Sequence, residues 1–123
     1  MAKTSVERTL FALADPTRRG VVELLRDGPR RAGEIASMLA VQKPALTRHL
    51  RLLRESGLVR EDGMPQDARV RVYHLQREPL CLLRGWIEEL ESFWTMQLEG
   101  FKAHAEDTRG RKRRRSSTPQ GRP

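Results

Sequence analysis

The sequence is poor in the residues from which disulfides, metal sites and catalytic sites are built. It holds one cysteine, Cys81, and three scattered histidines, His49, His74 and His104. A single cysteine excludes a disulfide within the chain and fits a reducing compartment. The histidines form neither a ligand set nor a nucleophile–base pair, and His49 is expected to pack or bond locally. The sequence therefore predicts no metal, no cofactor and no enzyme.

Long apolar runs are missing as well. No stretch approaches the roughly 20 apolar residues of a membrane span, and no charged and then apolar leader opens the chain. We expect no membrane partner and a cytoplasmic protein. With 37% hydrophobic and 33% charged residues, the chain offers a modest core, of the kind that dimerisation completes.

Acidic residues are absent from the C-terminal end, where the net charge of +8 is concentrated. Residues 108–123 carry seven basic side chains, and the remaining residues carry 17 basic and 16 acidic ones. Because most of the chain is nearly neutral, binding to nucleic acid has to rest on where its charges lie. We predict one domain over 1–106 and a disordered basic tail over 107–123. This tail is either an arm that adds salt-dependent affinity for DNA or a solubilising end.

Apolar spacing and turn residues predict a mainly α-helical fold with a small β-hairpin. The first helix covers about 5–14, and Asp15-Pro16 begins a second that ends near Arg26. Further helices are predicted over 32–39 and 43–55, strands over 58–61 and 69–75, and a last long helix over 80–104.

Two helices separated by the turn 40–42 and followed by a hairpin have the order of a winged helix-turn-helix. The second helix has an apolar stripe of Leu46, Leu50 and Leu53, and residues 42–54 include four basic and no acidic side chains. A helix in the major groove needs this arrangement, because its first side chains reach base edges while flanking cations meet phosphates. The pattern predicts double-stranded DNA as the partner.

The candidate DNA contacts begin at the start of this helix. Gln42, Lys43 and Thr47 are predicted to contact bases, since Gln pairs with adenine and Lys reaches guanine acceptors. Arg48 suits either base or phosphate, whereas Arg51 lies further along the helix and is assigned to phosphate.

Two further cations lie on the predicted second strand. Arg69 and Arg71 alternate along it and would share a face, from which they would contact the DNA backbone or minor groove. A solvated charged face is the alternative for any one of these residues. The combined order of helix, turn, helix and hairpin favours DNA.

The last helix carries an apolar stripe at 3–4 spacing. A monomer of this size has little other apolar surface with which to bury it. We predict a two-fold homodimer in which this helix and the first one pack against their mates. Packing within one subunit, or a ligand pocket around Trp86 and Trp94, remains an alternative. The predicted dimer residues are Leu10, Leu83, Trp86, Ile87, Leu90, Phe93, Trp94 and Leu98.

Three segments make the chain similar to the ArsR/SmtB family of bacterial winged-helix repressors, over about residues 10–98. Residues 12–19, ALADPTRR, resemble the family's opening signature. Residues 46–59, LTRHLRLLRESGLV, resemble its recognition helix and exit turn, and residues 69–75, RVRVYHL, its second wing strand. The resemblance implies a dimeric repressor that a signal releases from its operator.

The metal sites of this family have no counterpart here. Family metal sensors carry a cysteine pair on the helix that is GEIASML here, residues 33–39, and this stretch has none. For a second family site the last helix offers only His104. The aromatic residues of that helix resemble a subgroup that does not sense metals.

These observations predict a sequence-specific regulator, a homodimeric repressor that binds an inverted-repeat operator in the bacterial nucleoid. The alternative from another class is a winged-helix interaction module whose basic helix meets an acidic protein. A sequence-blind chromosomal protein that depends on the tail is a third hypothesis. The operator and the effector are not given by the sequence.

Overall fold

A computed structural model describes residues 4–117, with side chains described up to residue 108. The chain divides into two compact units, one ending at Trp86 and the other beginning at Ile87. The elements, in chain order, are α1 Ser5–Leu13, α2 Pro16–Arg26, β1 Arg30–Arg31, α3 Ala32–Leu39, α4 Lys43–Glu55, β2 Val59–Gly63, β3 Arg71–Leu75 and α5 Glu78–Ser117.

The first two helices begin at side chains that cap them. Thr4 Oγ1 accepts from the backbone N–H of Glu7 at 3.1 Å, and Asp15 Oδ2 accepts from that of Arg18 at 3.0 Å. Pro16 follows Asp15 at the first helical position, where a missing N–H costs nothing. The predicted start of the second helix at Asp15-Pro16 is therefore confirmed.

The hydrophobic core lies in the first unit and draws on α1 to α4 and on the sheet. The three leucines of the α4 stripe, Leu46, Leu50 and Leu53, are at most 2% exposed. In the part of the chain that the structure describes, the buried core cluster is formed by Ala12, Val21, Leu25, Ile35, Ala36, Leu46, Leu50, Leu53, Leu58, Val59 and Tyr73. Helices α2, α3 and α4 thus pack through the faces that their apolar spacing indicates, whereas α1 buries Ala12 and leaves Leu10 exposed.

A small antiparallel sheet in the order β1-β3-β2 covers one end of this core. Its hairpin was expected, but β1 was not, because two residues are too short for any periodicity. Arg30 lies opposite Tyr73 and Arg31 opposite Val72. The helix-turn-helix with a β wing, predicted from the sequence, is confirmed with one additional short strand.

The hairpin also corrects the predicted position of Arg69. β3 begins at Arg71, so Arg69 lies in the turn and not on the strand beside Arg71. Asp67 causes the difference, because its Oδ1 accepts from the backbone N–H of Arg69 at 3.0 Å. Its carbonyl also accepts from the N–H of Val70 at 3.0 Å. Side-chain bonds of this kind compete with a sheet ladder.

The turn between α3 and α4 requires a left-handed residue, and that residue is Ala40. Its φ is 53°, a region where a β-carbon is disfavoured. The turn closes because the N–H of Ala40 donates to Ser37 O at 3.3 Å and that of Val41 to Ala36 O at 3.0 Å. These bonds fix the path from α3 into α4.

Replacing Ala40 with glycine is expected to raise the free energy of unfolding by about 0.5–1 kcal/mol. Glycine removes the steric cost of the positive φ, which outweighs its greater entropy in the unfolded chain. Urea unfolding measures the change. The matched control is Ala45→Gly inside α4, which is expected to cost about 1 kcal/mol. A loss of stability in both variants would contradict the strain at Ala40.

The last helix is longer than its sequence predicts. The apolar spacing ends near His104, whereas α5 continues to Ser117. The predicted helix end near His104 is therefore too early, because Arg and Lys are good helix formers and no proline follows before Pro119. The disorder expected of the tail over 107–123 stays a prediction. The rest of the predicted tail, 118–123, lies outside the described residues. Within residues 4–117, no helix is long and apolar enough to cross a membrane.

Candidate nucleic-acid interface

The exposed side of α4 gathers the polar residues that the sequence assigns to DNA. This side lies opposite the buried leucine stripe, so packing of the core fixes which side chains solvent reaches. No acidic residue occurs in the first turn. The predicted residues that are exposed here are Gln42, Lys43, Thr47, Arg48 and Arg51.

The start of α4 is open to an anion. Gln42 occupies the N-cap position of α4 in an extended conformation, with φ −71° and ψ 146°. Its side chain makes no capping hydrogen bond. Thr47 Oγ1 donates to the carbonyl of Lys43 at 2.9 Å, which leaves its lone pairs free to accept. The positive end of the helix dipole adds to the Lys43 charge. This end of α4 suits both phosphate and base edges.

A cluster of three polar side chains joins α4 to the corner between α1 and α2. We call Asp15, Arg18 and His49 the corner cluster. Arg18 is 8% exposed, and its Nε donates to Ala12 O at 2.7 Å and its Nη2 to Phe11 O at 3.2 Å. These are carbonyls of the last turn of α1, where a cation is favoured. The Arg18 Nη1 lies 3.2 Å from His49 Nδ1.

Asp15 supplies the negative charge of the corner cluster. The backbone N–H of Arg18 that donates to it is the largest cause that lowers the pKa of this carboxyl below 3.8, and the charge of Arg18 acts in the same direction. Its Oδ2 lies 3.9 Å from His49 Nδ1. Asp15 is therefore ionised at neutral pH and balances the buried charge of Arg18. The bond expected of His49 is made with a residue 31 positions away, so it is not local.

A second cluster holds the wing to the end of α4. Glu61 of β2 accepts from Arg71 Nε at 2.8 Å and from Tyr73 Oη at 2.9 Å. Arg54 Nη1 of α4 lies 3.0 Å from the same carboxylate. The hydrogen bond from Arg71 is the largest cause that lowers the pKa of Glu61 below its usual 4.5, and Tyr73 and Arg54 act in the same direction.

The wing arginines are therefore already paired with carboxylates. Arg71 is held by Glu61, and Arg69 forms an ion pair with Asp67 at 3.1 Å while its side chain stays 91% exposed. The sequence predicted that Arg69 and Arg71 share one face of the strand, and this prediction is wrong, because only Arg71 lies on β3. Arg69 is the freer of the two to swing towards a phosphate, because exposed pairs are worth less than about 1 kcal/mol.

Replacing Glu61 with glutamine is expected to lower the free energy of unfolding by about 1–2 kcal/mol at pH 7. The folded state depresses the pKa of Glu61, so its stabilisation is present above pH 4.5 and is lost as pH falls through the folded value. The difference between variant and parent should shrink accordingly in urea titrations at decreasing pH.

The control for this change is Glu23→Gln, at an exposed glutamate of α2. It is expected to change the free energy of unfolding by less than about 0.5 kcal/mol at any pH. An equal effect of the two substitutions would show that Glu61 does not stabilise the wing.

The predicted dimer residues are mostly exposed. On α1, Leu10 is 41% exposed, and on α5 Phe93 and Trp94 reach 63% and 65%. Leu83 is half-buried. The remaining exposed members of the set are Trp86, Ile87, Leu90 and Leu98. In residues 4–108, no three His, Cys, Asp or Glu side chains form a cluster that could hold a metal.

Known proteins of similar sequence and fold are transcriptional regulators. Residues 15–61 match the family model described as "Bacterial regulatory protein, arsR family". The HTH-type transcriptional regulator Rv2034 of Mycobacterium tuberculosis is 42% identical over 97 residues, which cover 79% of this chain and 85% of that protein. The transcriptional repressor SdpR of Bacillus subtilis is 38% identical over 48 residues, 39% of this chain and 53% of that one.

A solved structure agrees with this result. The ArsR-like transcriptional regulator from Rhodococcus sp. RHA1 superposes with a TM-score of 0.74 at 25% sequence identity. The match covers 84% of this chain and 92% of that one.

Proposed function

Because the chain belongs to the arsR family of bacterial regulatory proteins and is a transcriptional regulator with a DNA-binding fold, we propose that it is a homodimeric repressor of an inverted-repeat operator. The observation that carries the proposal is the two-sided character of α4. Its leucine stripe is buried while its cations and its uncapped first turn stay exposed. A helix with these two sides can lie in a major groove while it remains anchored in the core.

The residues of α4 have separate roles in this proposal. Gln42, Lys43 and Thr47 read bases, because they lie at the end of the helix that enters the groove first. Arg51 grips a phosphate, and Arg48 lies between these two sets. Arg69, in the exposed turn of the wing, meets the DNA backbone, while Arg71 chiefly orients the wing through Glu61.

The dimer is supported by the exposed apolar stripe of α5. Side chains as large as Trp94, at 65% exposure, are costly to leave in water, and burial is worth about 25 cal/mol per Å² of apolar surface. A second copy with the same stripe covers it symmetrically. Two α4 helices related by a two-fold axis then fit half-sites spaced by about one helical turn, or a multiple of it.

In this proposal the position of the operator is enough to explain repression, and no second functional site on the protein is needed. A dimer on an operator that overlaps a promoter blocks access of the polymerase. The similarity to SdpR, which is described as a transcriptional repressor, supports this direction of regulation.

Selection of bound sequences from a random DNA pool tests the proposal. Full-length protein is compared with a variant in which the six basic residues of 109–115 are replaced by glutamine. We expect both proteins to enrich the same palindromic sequence, with weaker overall affinity for the variant. Sequence-blind binding that disappears in the variant would instead assign DNA affinity to the C-terminal end. Enrichment of nothing, by either protein, would favour an acidic protein as the partner.

A further inference from the structure

We propose that His49 is a positioning residue for DNA recognition: its bond to Arg18 fixes the rotation and height of α4, and so the selectivity of base contact. The proposal rests on the function proposed above and extends it to a residue that does not touch DNA. His49 lies near the middle of α4, next to Arg48, with its side chain 21% exposed.

The anchor of this bond is unusually well defined. Three nitrogens of the Arg18 guanidinium have separate partners, two of them carbonyls at the end of α1 and the third His49. The guanidinium also lies 5.5 Å from the ring centre of Phe11. A planar group held at several points cannot rotate freely. The atom presented to α4 therefore has a fixed position.

The rest of the packing of α4 is less directional. Leu46, Leu50 and Leu53 hold the helix by burial of apolar surface, which depends on area and not on angle. A rotation or slide of the helix by a few tenths of an ångström that keeps these side chains buried changes their buried area little. The bond between Arg18 and His49 is sensitive to both movements, because a hydrogen bond needs a donor–acceptor distance of about 2.7–3.2 Å and weakens steeply when its angle falls below about 120°. At 3.2 Å this bond is at the long end of that range. Base contacts have the same narrow tolerance.

The chemistry of the bond fixes the tautomer of His49. Arginine only donates, so Nδ1 must accept and the ring proton must reside on Nε2. The Asp15 carboxylate lies 3.9 Å from the same Nδ1 and balances the charge of Arg18. Asparagine places its Oδ1 near the position of Nδ1 and keeps an acceptor, whereas leucine fills the space and removes it.

The experiment compares His49→Leu, His49→Asn and, as a matched histidine in the wing, His74→Leu. Affinity of the full chain is measured on the selected operator and on random DNA of equal length. We expect His49→Leu to lower the ratio of the two affinities by about tenfold, the value of one base contact. His49→Asn should stay within about threefold of the parent, and His74→Leu should leave the ratio near the parent value.

A measurement without DNA tests the positioning itself. Hydrogen exchange of α4 amides in the free protein should accelerate in His49→Leu and remain near the parent rate in His49→Asn and His74→Leu. Nitrogen NMR of the parent should show His49 as the Nε2–H tautomer. Unchanged α4 exchange in His49→Leu, or an Nδ1–H tautomer, would overturn the proposal whatever the DNA results.

These two measurements separate failure of the inference from failure of the proposed function. A parent protein without preference for any sequence refutes the operator and the selectivity role of His49, while exchange still decides whether His49 positions α4. A selective parent whose selectivity survives His49→Leu refutes the inference alone. Loss of selectivity in both His49 variants would also refute it, because an acceptor would then not suffice.

Discussion

Replacing Lys43 with alanine is expected to weaken operator binding by about 5- to 100-fold and to change the preferred base at one position of each half-site. Lys43 is the first residue of α4 and is exposed, so its ammonium group can reach acceptors on a base edge. Because the change removes a contact that only the correct base satisfies, affinity for random DNA should fall much less. Competition binding and a repeated selection measure the two effects.

The matched control is Arg51→Ala, which removes the same charge from the same helix. Arg51 lies further from the entering end, so we expect equal proportional losses on operator and random DNA, and a reduction of about one in the salt-dependence slope. If both variants lost affinity equally on all DNA, α4 would bind charge without reading sequence, and the assignment of Lys43 to a base would fail.

The second large effect is expected from Trp94→Glu. A carboxylate at the centre of the α5 stripe would have to be buried in the proposed dimer, at a cost of several kcal/mol. The protein should become monomeric at micromolar concentration in light-scattering measurements. Its operator affinity should fall by about 100-fold or more, because the two half-sites would no longer be bound by two α4 helices that belong to one dimer.

Thr95→Glu is the control for this change. It introduces the same charge at the neighbouring exposed position, which the apolar spacing of α5 excludes from the stripe. This variant should remain dimeric and keep its affinity. The first unit should stay folded in both variants, since its core residues all precede Trp86. If the Trp94→Glu protein remained dimeric, the dimer interface would not be the apolar stripe of α5.

Local chemistry explains which parts of the fold were predictable. Asp15 and Pro16 predict where α2 begins, and the spacing of the leucines predicts which side of α4 is buried. Such signals act between residues less than about two helical turns apart. They sufficed for the order of the helices and the hairpin, though not for β1, and with it for the exposed candidate contacts on α4.

The contacts that orient these elements are invisible to such signals. His49 bonds to Arg18 across 31 positions, and Tyr73 to Glu61 across 12. Arg71 and Arg69 read alike in the sequence as exposed strand cations, yet one is held by Glu61 and the other lies in a turn set by Asp67. The role of Arg71 depends on Glu61, ten positions away on the paired strand, and that of Arg69 on the turn that Asp67 forms two positions before it. Neither composition nor periodicity contains that information.

The confinement of the core to the first unit has a consequence for how the protein is made. Among the described residues, the buried part of the core ends with Tyr73 of β3 and Pro79 at the start of α5, where Leu80 packs against it. Nearly the whole core has therefore been synthesised before most of α5. Because chains emerge N-terminus first and compact units fold as they appear, the part that carries α4 can reach its native state during translation. Pairing of the exposed stripe then becomes a later, concentration-dependent step. If the protein is the dimeric repressor proposed above, newly made copies would fold their DNA-binding unit before they acquire a partner, and the rate of synthesis would set how soon repression begins.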